Sequence, residues 1–539
     1  MTDAASVTPD HTAPATPAPA TPAPATPAPA ALTRATPTSA APAPATPAPA
    51  THAPAAPATS LPPVPTLTEV RPVPATPAVP VPAPVPSGAP TVLPDEHTYT
   101  ADELFFSTTD SAGRIRRANA IFMRLSGYPR GALVGRAHNV VRHPDMPAGA
   151  FRSIWEDLEA GNAASAYITN RSSDRGRYRV FATIVPSGDG YLSVRTLPML
   201  TGLRDAVEAA YTRVREVEAA SAASGSTRRE VAAAGQAALL TELGALGYRG
   251  TVDFTRQTLP AEVAALVASG VNIPRRPDAT GPVATILAQM DGIEEGTAGM
   301  VSLLDVLARL VGLLGRRASA VTALSDRLGR LRESLRGVVA DVERLAPGEA
   351  DAVRLRYRQV DSLVLECFEE LRPLAGQITE LRGDVDSVRF GIALTRLHNL
   401  AAGFFALQIL DGQDALEEND AVGSLAELVS ALSDGAASLT DRLALLDARR
   451  ELVGGDLDAV AQALTATHAP LLDLLETAAR AGAGRCQSVD AARALLGDGF
   501  PEALDLADLA GAVRDLAVPY EAEDLRERLR QVREALAEL

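Results

Sequence analysis

A small group of side chains between residues 104 and 196 has the types and spacing to hold a ligand. Arg142 and His143 stand just ahead of AGAFRSIWEDLEAG, a stretch of helical periodicity with Pro147 in its first turn and Gly161 as its stop. Asp145 is placed to cap that helix. Free N–H groups at a helix start, preceded by two basic side chains, favour an anion such as a phosphate. Phe151 and Trp155 are four residues apart, share one helix face and suit the flat side of a planar ring. Asn119 and Asn170 each offer donors and an acceptor to a ring edge or a ribose. Each has a plainer alternative. Phe151 and Trp155 are also what a core looks like, Asp145 can be a cap and nothing more, and Arg142 can pair with a surface carboxylate. His143 can be an ordinary polar residue, and either Asn can close a turn.

The elements that must position these residues follow from the local pattern. LFFSTTD and GRIRRAN read as two strands, and IFMRLSGY as a short amphipathic helix ending at Gly127. After the longer helix, SAYITNR, RYRVFATIVP and GYLSVRT alternate as three strands joined by Gly-containing turns. The order predicts an α+β domain, a small antiparallel sheet with helices on one side. The runs STTD, SGY, HNVVRHPDMPAGAFRSIW and YLSVRT resemble the PAS sensor domain of aerotaxis receptors. The resemblance covers about residues 104–196, under a fifth of the chain. It implies a PAS fold, bound FAD, and a flavin whose redox state reports oxygen or electron-transport status. It also implies that the flavin-associated positions fall on Asn119, Arg142, His143, Asp145, Phe151, Trp155 and Asn170.

Downstream the sequence is helical. Met300, Leu304, Leu307, Val311, Leu314, Ala318, Val321, Leu324, Leu328, Leu331, Leu335, Val338, Val342 and Leu345 recur at spacings of three and four. This is a coiled-coil seam, closed by Pro347 and Gly348. A second seam runs from Val353 to Ile392, carries Cys367 as a buried thiol, and contains Pro373, which should kink or break it. A shorter series runs from Leu525 to Leu539. Two seams joined by a tight turn predict an antiparallel hairpin, and two hairpins paired in a homodimer would make a four-helix bundle. The resemblance implies such a bundle as output, although the family's charge-poor tip is absent as a motif. The nearest segment, RFGIALTRLHNLAAGFFALQILDG, reads either as a partner-binding surface or as a buried core helix. His398 within it lacks the context of a phosphoacceptor and reads as structural. The expected divisions are an Ala/Pro/Thr-rich disordered arm (1–96), the PAS domain (97–198), a helical connector (199–283), a coiled-coil bundle (284–452) and a C-terminal helical region (453–539).

Composition limits the function. Of 41 prolines in 539 residues, 27 fall in the first 94 with only five charges, a tract unable to offset its ordering entropy. Of 21 aromatics, eleven lie between Tyr99 and Tyr191, which marks that stretch as the compact domain. The net charge of −16, with all 50 basic residues Arg, disfavours nucleic acid as a partner. Two distant cysteines, Cys367 and Cys486, suit a reducing, cytoplasmic setting. No leader and no run of about 20 uninterrupted apolar residues is found, so a soluble protein is expected. No P-loop, GxSxG or HExxH is present, and no enzymatic activity is expected. Two functions remain: a flavin-binding redox sensor reporting to a signalling partner, or a cofactor-free PAS module for docking or dimerisation.

Overall fold

The computed structural model describes residues 95–413, 418–497 and 499–539. The expected arm over 1–96 therefore lies almost wholly outside the described residues. A five-stranded antiparallel sheet has the order β2-β1-β5-β4-β3, with β1 Phe105–Asp110, β2 Ile115–Ala118, β3 Ala164–Arg171, β4 Arg177–Ser187 and β5 Gly190–Thr196. Helices α1 (Ala120–Ser126), α2 (Arg130–Leu133) and α3 (Ala148–Glu159) fall between β2 and β3. This is the PAS-type α+β arrangement read from the strand order.

Register assigns the side chains to two faces, because neighbours along a strand point opposite ways. Phe105 pairs with Arg195, Ser107 with Ser193, Ala182 with Arg195, and Asn170 with Tyr178. These residues share the inner face, under α1 and α3, where Phe105 stacks on Phe122 and Trp155 meets Tyr191 edge-on. Phe106, Arg117, Tyr167 and Arg179 take the outer face.

Four-helix packing makes up the rest. Helices α4 (Thr201–Ala223) and α5 (Arg228–Ala245) form a hairpin, and α6 (Thr251–Ala268) lies on the outer face of the sheet. Helices α7 (Pro282–Ser302) and α8 (Leu304–Leu345) make one leg, α9 (Ala350–Leu410) the second and α10 (Glu418–Ala478) the third. The fourth leg is broken into α11 (Gln487–Leu496), α12 (Glu502–Arg514) and α13 (Ala522–Ala537), packed in turn on α8, α10 and α7. The bundle thus closes within one chain, where the sequence predicted two chains. Seam residues such as Leu328, Leu335, Val364 and Leu374 are fully buried without a second copy.

The structure moves the first seam. Leu310 and Arg317 are buried at 1% and 2% exposure, whereas Val311 and Ala318 are only partly so. Arg317 holds a seam position that spacing alone assigned to its apolar neighbour, and it pairs with Asp505 of α12 at 2.6 Å. Pro373 does not break its helix, since α9 runs through it for 61 residues. The expected division at 452/453 falls inside the continuous α10. Stretches Pro282–Leu345 and Pro347–Leu410 are long and apolar enough to cross a membrane by length and composition, with 44% and 89% of their most apolar windows buried in the fold.

The charge-poor segment of α9 is buried against the sheet. Phe405 meets Phe106 edge-on at 4.9 Å, and Gln408 Oε1 accepts from Asn119 Nδ2 at 3.2 Å. Arg117 pairs with Glu427 of α10. His398 is 2% exposed, and burial pushes its imidazole down to about 4, so it sits neutral inside the bundle.

Candidate functional site

Four of the seven residues expected at the site meet where β3 ends and α3 begins. Arg142 and Asn170 are bridged through their backbones, and His143 N–H donates to Thr169 O at 3.4 Å. The Arg142 guanidinium lies 4.3 Å above the Phe151 ring and donates to Met146 O at 2.7 Å. Burial lowers the Arg142 guanidinium from its ordinary value, and burial likewise lowers His143. His143 Nδ1 accepts the Asp145 N–H at 3.1 Å, which suits a neutral ring. Asn170 is 3% exposed, and its Nδ2 has no partner among the described residues.

Of the other three, Trp155 and Asn119 stand apart, while Asp145 flanks His143 at the rim with Oδ2 3.5 Å from Nδ1. Trp155 packs on the β1–β2 turn, where a Cβ at Gly113 would lie 2.7 Å from its ring. Asp145 is an exposed rim residue that pairs with Arg215 at 2.9 Å; it does not cap α3, whose N-cap is Pro147. Asn119 spends its whole amide. Oδ1 accepts from Phe106 N and Phe122 N, while Nδ2 donates to Leu104 O and Gln408 Oε1. It is a joint between α1, β1 and α9.

The first turn of α3 carries an anion, though from the chain itself. Glu218 of α4 accepts the N–H groups of Ala148 and Gly149 at 3.0 and 2.7 Å. The hairpin comes this close because a Cβ at Gly149 would collide with the backbone of Gly235 and Gln236 in α5.

Sequence reasoning missed the centre of the inner face. Arg195, 3% exposed, donates from Nη2 to His138 Nε2 at 2.6 Å and to Ser107 Oγ at 3.1 Å. Its guanidinium lies over the rings of Phe122 and Phe105 at 5.0 and 5.8 Å. His138 stacks on Phe122 with centroids 5.8 Å apart and planes within 5°. Burial, helped by the Arg195 charge, pushes His138 down to about 3; burial pushes Arg195 down to about 10. No carboxylate pairs with Arg195 among the described residues. Nearby on the same face, Tyr178 Oη and Ser193 Oγ are buried without partners. The signal was present in GYLSVRT, where Leu192 and Val194 alternate with Tyr191, Ser193 and Arg195, so one side of a strand buried at every position but Tyr191 is polar.

These groups fit the cofactor that the resemblance implies. A flavin edge presents carbonyl oxygens and ring nitrogens, and a guanidinium, an amide N–H and two hydroxyls can meet them.

No family model matches the chain. Over 115 residues it is 38% identical to the aerotaxis receptor of Escherichia coli (strain K12), an alignment covering 20% of this chain and 23% of that protein. The chain is thus a homologue of that receptor through its PAS-like region and spans under a quarter of the receptor's length. A crystal structure of a Rhodobacter sphaeroides LOV protein is similar at 17% identity and a TM-score of 0.17, covering 27% of this chain and 90% of that one.

Proposed function

We propose that the PAS domain is a redox sensor that binds FAD at its inner face and reports the flavin's state to the helical bundle across its outer face. One observation carries this reading: the bundle's α9–α10 end is seated on the back of the same sheet whose front holds unpartnered polar groups. Bound flavin would supply reversible uptake of electrons. Arg195, Asn170, Tyr178 and Ser193 would meet its ring edge, Phe151 and Trp155 would flank its flat side, and Arg142 and His143 would lie near its phosphates. Transmission would run through Phe106 to Phe405 and through Asn119 to Gln408, since any shift of β1 moves both. The signalling partner, a cytoplasmic setting and the absence of catalysis belong to the same proposal. A homodimer would use helix faces other than the seams, which the chain covers itself.

Purified full-length protein is expected to be yellow, with a flavin spectrum and one FAD released per chain on denaturation. Colourless protein that also takes up no added FAD would sink the reading and leave the sheet as a docking module. A strictly monomeric mass in solution would remove the dimer.

A further inference from the structure

The inner face contains a buried cation that the fold itself does not balance. A guanidinium withdrawn from water is costly unless a carboxylate or several good acceptors compensate it. Among the described residues Arg195 has neutral partners only, the His138 imidazole, the Ser107 hydroxyl and the Ser193 carbonyl. The unpartnered hydroxyls of Ser193 and Tyr178 add to that cost, as does the Asn170 amide across the strand pair. By contrast, Arg179 on the neighbouring strand is forked onto Glu96 at 2.7 and 2.8 Å. The walls are flat. Phe105 and Phe122 are nearly parallel, at 15°, and the His138 ring lies parallel on Phe122. A compact tetrahedral anion would leave such walls uncovered, whereas a planar ring would lie along them.

We propose that Arg195, with Tyr178, Ser193 and Asn170, is a built receptor for the electron-rich edge of a planar heteroaromatic ligand, and that His138 occupies that receptor in the ligand-free chain. The bond from Arg195 Nη2 to His138 Nε2 is the one the ligand edge takes over. The stacked imidazole is the ring it displaces from Phe122. His138 is suited to leave, since it sits on a single 3-10 turn, His138–Val141, between two extended residues. Identification of the ligand as a flavin rests on the function proposed above; the receptor does not.

The test uses the full chain stripped of ligand, FAD as the probe, and two variants. For Arg195→Met, FAD affinity should fall at least tenfold while the ligand-free protein melts no lower than wild type, because the side chain removed is a binding group and not a structural one. His138→Ala should bind FAD several-fold more tightly, having lost its internal competitor. An Arg195→Met protein that melts several degrees lower and binds FAD unchanged would overturn the proposal. If that variant fails to fold, or loses both stability and affinity, His138→Ala decides: tighter binding supports the receptor, and unchanged or weaker binding refutes it. Wild type that takes up no FAD, beside an Arg195→Met chain that melts higher, would sink the flavin but support a receptor for another planar ring. No uptake together with a lower melting point would sink both.

Discussion

The two faces of the sheet use the same chemistry to opposite ends. On the outer face buried polar groups meet partners from this chain: Arg117 meets Glu427, Arg179 meets Glu96 and Glu208, and Tyr167 donates to Glu262. Thr108 Oγ1 and Arg117 Nε are exceptions there. On the inner face, among the described residues, Arg195 meets no carboxylate, and Tyr178, Ser193 and Asn170 each carry an unused polar atom. Cations held by carboxylates of the chain suit an interface that stays closed, whereas a buried cation facing only neutral groups suits a place where an outside acceptor can bind. Two arginines on adjacent strands let the contrast be broken directly. Arg179→Met strips Glu96 of its forked partner at a site where both side chains are at most 10% exposed. It should cost about 3–5 kcal/mol. Denaturation followed by the fluorescence of Trp155, the chain's only Trp, measures it. Equal losses for Arg179→Met and Arg195→Met would erase the distinction between the faces.

Period-two alternation and turn residues made the sheet legible, and the position of α3 with it, because those signals are local. The bundle was legible as seams but not in its partners. Spacing cannot say whether a seam is covered by a second copy or by helices that follow later in the same chain. Nor could it place Arg317 in a seam, since only Asp505, 188 residues on, makes that charge tolerable there. At the site, Arg142, His143, Phe151 and Asn170 lie close together because the backbone of residues 142–143 pairs with Thr169 and Asn170 at the far end of β3, just ahead of the first turns of α3. Asn119 turned out to face the bundle, a direction set by Gln408, 289 residues away.

A smaller effect sharpens the outer face as a closed interface. Glu262 is 1% exposed and accepts from Tyr167 Oη at 2.6 Å, Met199 N at 2.7 Å and Leu200 N at 3.1 Å, tying the sheet to the chain's exit from β5. Burial pushes its carboxyl up to about 7. A carboxyl that binds its proton more tightly folded than unfolded adds stability that is full at low pH and is lost as pH climbs through that value. The loss should be on the order of 3 kcal/mol. His138 and His398, held neutral by burial, have the reverse slope below their ordinary range near 6.5. The clean reading is therefore the difference between wild type and Glu262→Gln across pH 5 to 8. A variant with the same melting profile as wild type would remove Glu262 from the account.

The smallest effect lies at the edge between the faces, at the start of α3, where the sequence predicts a phosphate and the Glu218 carboxylate stands. A carboxylate on two free N–H groups contributes about 1 kcal/mol, as a cap does. Glu218→Ala should therefore raise hydrogen exchange at the Ala148 and Gly149 amides several-fold and leave the amides of β4 and β5 unchanged. Adding FAD to wild type gives the sharper result. If the cofactor's phosphates take over these amides, Ala148 and Gly149 stay protected while α4 around Glu218 begins to exchange, because the carboxylate that held it has been displaced. If α4 stays protected with FAD bound, the α3 start belongs with the outer face as a contact the chain satisfies permanently for itself, and the ligand's claim ends at the ring edge.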